Sequence, residues 1–186
     1  MEILIVLAVV VIYFVFTYNS LVSIKNNVSK AWANIDVLLK QRHDELPKLI
    51  DVCKQYMQHE QETLEKVIQA RSGVDNARQI QDVAGLAVAE SALQGSLGGL
   101  FALAENYPDL KADQSFNALQ SRITGLENAI ADRREFYNDS VNVNNVRVQQ
   151  FPDLVVAKLL GFKALKLLAF APAELADVDV SKRFNS

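Results

Sequence analysis

The chain of 186 residues carries 19 basic and 22 acidic side chains, for a formal net charge of −3. That balance excludes the strongly basic surface expected of a nucleic-acid-binding protein. The single cysteine, Cys53, excludes an intrachain disulfide and agrees with a reducing compartment.

The first predicted element is an N-terminal anchor. Residues 3–24 contain no charged side chain, and Ile3–Phe16 is an unbroken run of Ile, Leu, Val, Ala, Tyr and Phe. A helix rises about 1.5 Å per residue and needs about 20 residues to cross the hydrocarbon of a bilayer. Residues 1–24 are therefore expected to span a membrane, with Ile3, Leu7, Val11, Phe14 and Phe16 in lipid. A cleaved signal peptide is the alternative. Its cationic start is missing here, since Glu2 follows Met1, and no small-x-small site follows the apolar run. A buried core helix is a further alternative, disfavoured because the run is apolar all round. Lys25, Lys30, Lys40 and Arg42 follow the segment and no basic residue precedes it. The positive-inside rule predicts a single-pass protein of the bacterial inner membrane, N-terminus outside and body in the cytoplasm.

Beyond the anchor, few prolines and glycines, many helix formers and no hairpin signal predict an all-α fold. The expected architecture is a long antiparallel bundle over residues 25–170, its first helix continuous with the transmembrane helix. Leu21, Val28, Ile35 and Arg42 recur every seven residues, with Ile24, Ala31 and Leu38 between them, a heptad-like stripe for lateral packing. Trp32 beside it reads as core. Asp44-Glu45-Leu46-Pro47 reads as a turn, with proline tolerated in the first turn of a second helix over about 46–71. Ser72-Gly73-Val74-Asp75-Asn76 is expected to end that helix.

A third helix is predicted over about 78–106. Its residues 91–104 lack charge and are crowded with small side chains, and Ser91, Gly95 and Gly99, with Ala102, fall on one face. Interior glycines cost about 1 kcal/mol each relative to alanine, so close approach of another backbone is expected to compensate. Packing within one bundle is the favoured reading. A subunit contact or a lipid-facing surface is the other.

Tyr107-Pro108-Asp109-Leu110 reads as a turn, followed by a fourth helix over about 112–150. Its stripe is Phe116, Leu119, Ile123, Leu126, Ile130, Arg133 and Tyr137. It then turns polar, with four asparagines between Tyr137 and Asn145. Asparagines in a seam fix register by pairing with polar neighbours. A polar seam is therefore expected, with Arg133, Tyr137 and Asn138 opposite Asn34, Asp36, Arg42, Glu60 and Arg71. Phe151-Pro152 ends the helix. Residues 154–170 are apolar with Lys158, Lys163 and Lys166, and either fold back on the bundle or touch the inner leaflet. Residues 171–186 are expected to be a loosely ordered tail.

No catalytic, cofactor-binding or metal-ligating constellation is recognised, and the chain is not expected to be an enzyme. His59-Glu60-Gln61-Glu62-Thr63 begins like a zinc-protease motif, but Thr63 stands where the second histidine is needed. Cys53 lies on an apolar stripe and reads as core. No phosphate-binding loop, dinucleotide fingerprint or nucleophile elbow occurs.

Several segments taken in order resemble the LemA family: Tyr18-Asn19-Ser20-Leu21-Val22, Ala31-Trp32-Ala33-Asn34-Ile35-Asp36 through Gln41-Arg42, and Leu46-Pro47-Lys48-Leu49-Ile50. The resemblance continues in His59-Glu60, Ala70-Arg71, Tyr107-Pro108-Asp109-Leu110-Lys111-Ala112, Arg133-Arg134-Glu135-Phe136-Tyr137-Asn138, and Phe151-Pro152 with Ala157-Lys158-Leu159-Leu160-Gly161-Phe162. Departures are Lys48, where a polar amide is usual, and the shortened tail. The resemblance implies a small bacterial membrane protein with one N-terminal span, a cytoplasmic helical bundle and no catalytic residues to carry over. Relatives that help organise magnetosome membranes imply, by analogy, a structural role at the bilayer. The expected function is a membrane-anchored, self-associating scaffold whose partners are the lipid bilayer and further copies of itself. An adaptor docking a membrane protease or envelope-stress partner is the alternative.

Overall fold

A computed structural model describes residues 1–168; the tail expected at 171–186 and the last residues of the expected bundle lie outside them. Among the described residues there are six helices and no strand: α1 Glu2–Tyr56, α2 Gln61–Gln79, α3 Val83–Ala104, α4 Pro108–Ala112, α5 Gln114–Gln149 and α6 Asp153–Leu160. The apolar N-terminal segment and the first bundle helix are one helix of 55 residues, about 80 Å long at helical rise.

The helix passes straight through Pro47, where the sequence predicts a turn. An interior proline removes the N–H that would bond the carbonyl four residues earlier and ordinarily costs about 3 kcal/mol or more. Here that carbonyl belongs to His43, and Arg71 of α2 supplies the missing donor: its Nε donates to the His43 carbonyl at 3.0 Å. A terminal nitrogen of the same guanidinium lies 2.6 Å from His43 Nε2. Burial, with the Arg71 charge second, holds the His43 pKa below its ordinary value, so the imidazole is neutral and accepts this second bond. Around the proline, Leu46, Leu49, Ile50 and Cys53 are all buried. The chain reverses later, at residues 57–60.

The predicted end of α2 also moves. Residues 72–76 stay helical, because Val74 and Ala77 are buried against α3. Gly73 faces Ala89 there, and a Cβ at Gly73 would lie 3.7 Å from the Ala89 methyl. The reversal comes at 80–82, with Gln81 in the left-handed region at φ 53°. The α2–α3 hairpin then lies against α1, tied by Arg78 to Asp36 at 3.0 Å.

Helix α5 runs antiparallel to α1 along most of its length. Arg122 pairs with Glu45 at one end, and Arg147 donates to Ser20 at the other. One continuous core is built from Val28, Ile35, Leu39, Leu49 and Cys53 of α1, the leucines of α3, and Phe116, Ile123, Ile130 and Tyr137 of α5. Trp32 packs edge-on against Tyr137, ring centroids 5.7 Å apart. The segment expected as a turn at 107–110 forms the one-turn α4, which buries Leu110. Asp113 N-caps α5 by accepting from the Phe116 amide at 2.9 Å, and also accepts from the Tyr56 hydroxyl.

The proline repair has a direct test. Arg71→Ala is expected to lower stability by about 1–3 kcal/mol, because the His43 carbonyl loses its partner. Pro47→Ala in that background should recover much of the loss, since residue 47 then carries its own N–H. Denaturant midpoints of the two single variants and the double variant measure the coupling.

Candidate functional site

The N-terminal end of α1 stands clear of the body. Ile3, Leu7, Val11 and Phe16 are exposed, and Phe14 is half-buried against a small second core of Leu21, Val148, Val156 and Ala157. This stretch is long and apolar enough to cross a membrane. The body first reaches it at Tyr13, whose hydroxyl donates to Asp153 Oδ1 at 3.0 Å. Asp153 also lies 2.7 Å from Arg147 Nε. The small core beside this cluster joins α1, the end of α5 and α6, and Tyr18 stacks edge-on against Phe162.

Helix α3 is also long and apolar enough to span, but it buries Leu86, Leu93, Leu97 and Leu100 in the bundle. Its opposite face carries Val88, Ala92, Gly95, Gly99 and Ala102, all exposed, with Ser91 half-buried at its edge. A Cβ built at Gly95, Gly98 or Gly99 meets nothing within 4 Å. The expected close backbone approach within the bundle is therefore not made at these glycines. Their face is uncharged and bare.

Glu90 is the one charged residue between Asp82 and Glu105, and it turns inward. It is buried and ion-paired with the buried Arg42 of α1. Glu127 of α5 lies 3.9 Å from the same guanidinium. Burial pushes the Glu127 carboxyl above the usual carboxylate range; Arg42 pulls against that shift and Glu90 adds to it. With Arg134 these groups line a cavity of about 40 Å³, room for water but not for an organic ligand. The sequence places Arg42 in the seam but gives Glu90 no role. Its isolation in an apolar helix is the signal that identifies it, since a lone buried acid needs a cation.

The rest of the expected polar seam is dispersed. Asn34 is exposed and Asp36 pairs with Arg78. Glu60 accepts from the Tyr107 hydroxyl at 3.1 Å, capping the far end of the bundle. Arg71 repairs the proline. Arg133 is exposed, and the neighbouring Arg134 takes the buried position. Three of the four asparagines, Asn138, Asn144 and Asn145, face the returning chain at 163–168, an extended strap, and not the first two helices, while Asn142 is exposed. Asn138 holds both backbone groups of Leu168, at 2.8 and 3.0 Å. Asn145 does the same for Leu165, at 2.8 and 2.9 Å. Asn144 donates to the Lys163 carbonyl and Tyr137 to that of Lys166. Seven helical residues and three extended residues both advance about 10 Å, so the two amides match the strap's repeat.

Cys53 is buried, and burial pushes its thiol up to about 11. His59 is exposed. No group of three or more His, Cys, Asp or Glu side chains suited to a metal occurs among the described residues.

A profile of the LemA family matches residues 31–181, starting inside α1 and taking in the whole of the bundle beyond that point. The chain belongs to the LemA family. This LemA-family chain is 28% identical over 182 residues to Protein LemA of Metamycoplasma hominis, covering 97% of this chain and 82% of that protein. It is also 28% identical, over 85 residues, to Magnetosome protein MamQ 2 of Paramagnetospirillum magneticum and to Magnetosome protein MamQ of Magnetospirillum gryphiswaldense. Those matches cover 46% of this chain and 31% of each magnetosome protein.

The buried charges give a second test. Glu90→Gln leaves Arg42 with the more distant Glu127 alone and is expected to cost about 3 kcal/mol at neutral pH. Glu127 behaves oppositely. Its folded pKa lies above its unfolded one, so the folded state holds the extra proton between those values and stability falls as pH rises through that interval. Glu127→Gln should remove that slope without loss of neutral stability. Denaturation from mildly acidic to neutral pH checks both.

Proposed function

We propose that this LemA-family chain is a single-pass protein of a bacterial inner membrane, its body on the cytoplasmic side, which self-associates into a scaffold organising the membrane or its proteins. The observation that carries this reading is the unbroken α1. An anchor on a loop would leave the body free to turn, whereas one helix shared by the apolar segment and the core transmits orientation between them. The orientation is supported by the fold as well as the sequence. Folding brings the exposed Lys158, Lys163 and Lys166 to the α1 end of the body that already carries Lys25 and Lys30, and basic residues beside a span favour the cytoplasm.

Self-association is read from α3. Its bare face combines exposed glycines with an absence of charge, and small residues let helices approach closely. Many weak lateral contacts between anchored copies sum to a stable array. The names of the magnetosome relatives fit a role at a membrane. Docking of a different membrane protein is the competing outcome.

Native mass measurement of the purified protein in mild detergent is expected to give multiples of the 20.7 kDa chain. Gly95→Leu with Gly99→Leu should disperse them without disturbing the monomer, since both positions are exposed and a Cβ at either meets nothing within 4 Å. A monodisperse wild-type monomer at high concentration overturns self-association.

A further inference from the structure

We infer that α6 and the turn before it form an apolar collar around α1 that sinks into the lipid leaflet on the body's side and completes the span that α1 begins. The inference rests on α1 crossing the membrane. Residues 3–12 of α1 are exposed all round, and ten helical residues cover about 15 Å, half of the roughly 30 Å hydrocarbon thickness. At Tyr13 the body arrives through Asp153. A span begun at Ile3 therefore continues to about Val22, and over that second half α1 is accompanied by α6 and the end of α5, which pack on it from Phe14 to Leu21.

The collar has the surface such a depth requires. Its inner face buries Val156 and Ala157. Its outer face exposes Phe151 (76%), Val155 (59%) and Leu159 (73%), with Leu160 beside them. On α1 itself the neighbouring Phe16 is 72% accessible, so the apolar segment stays exposed on its other side at this level. The collar's one carboxylate, Asp153, is buried and paired: it accepts from the Tyr13 hydroxyl and lies against the half-buried Arg147, which also donates to Ser20. A low-dielectric surrounding tolerates a charge that is paired in this way. Lys158 is exposed on α6 and Lys163 and Lys166 follow on the strap; long lysine stems reach headgroups while their chains lie along apolar surface. Tyr18 and Phe162, stacked at this level, suit the interface. The occupant is lipid and not a soluble partner, because α6 packs beside residues 14–21 of the apolar segment, within the depth that a span begun at Ile3 needs.

The test uses the full chain in vesicles of phosphatidylethanolamine and phosphatidylglycerol. Leu159→Cys carries an environment-sensitive fluorophore, quenched by lipids bearing a nitroxide at shallow or deep positions. Cys53 does not compete for the label, being buried with a thiol pushed up to about 11. Val11→Cys marks the anchor and Val37→Cys, exposed on the body, marks the solvent. Leu159 is expected to lose most of its emission to the shallow quencher and less to the deep one, with Val11 quenched and Val37 unaffected. A Leu159 label as resistant as Val37, while Val11 is quenched, overturns the collar and leaves the anchor standing. A blue-shifted but unquenched Leu159 label means that protein covers the patch, and also overturns the collar. An unquenched Val11 overturns the anchor and the collar together. Val155→Cys gives the same readout from the same exposed face if the first variant misfolds.

Discussion

One hydrogen bond decides where the first helix ends. Pro47 leaves the His43 carbonyl without a helical donor, and the Arg71 guanidinium provides it from the neighbouring helix. Had the chain turned at Pro47, Leu49, Ile50 and Cys53 would belong to a separate element, and α2 would lose its purchase on α1. With the bond in place α1 runs to Tyr56, the α2–α3 hairpin docks alongside, and α5 has a straight partner for the return journey. The arrangement is mutual, since the arginine that rescues the helix is itself positioned by packing against it.

The second organising device works through side-chain amides. Asn138 and Asn145 each offer one acceptor and one donor, as a neighbouring strand would, and the strap at 163–168 pairs with them although no sheet exists there. Asparagine is a poor helix former because it competes for backbone partners. In this segment of α5 that tendency is redirected outward, to backbone groups of the strap that would otherwise rely on water.

The parts of the fold readable from the sequence are those written in local periodicity. The seven-residue stripe from Leu21 to Arg42, and Phe116, Ile123, Ile130 and Tyr137 in α5, all mark buried faces. The continuity of the apolar N-terminal segment with the bundle is legible for the same reason. What escaped was set by partners remote in sequence. Pro47 reads as a break until Arg71 is seen beside it, and the asparagines read as seam residues until the strap appears. The glycines of α3 suggested close packing inside the bundle, whereas the α2–α3 contact is made at Gly73 and Ala89. Arg133 and Arg134 show the limit of phase: a heptad extended over many turns drifts relative to a 3.6-residue helix, and the inward position passed to the next residue.

The stiffness of α1 has a mechanical corollary. From the expected inner edge of the bilayer near Val22 to its end at Tyr56, the helix is a lever arm of about 50 Å. Transmembrane helices answer changes in bilayer thickness by tilting, over a range of tens of degrees. A tilt of about 10° swings the far end sideways by about 9 Å, close to the width of a helix. The Tyr107–Glu60 and Tyr56–Asp113 contacts at that far end would travel with it. In a chain anchored as proposed, small differences in membrane thickness thus become sideways displacements of the far end by about the width of a helix.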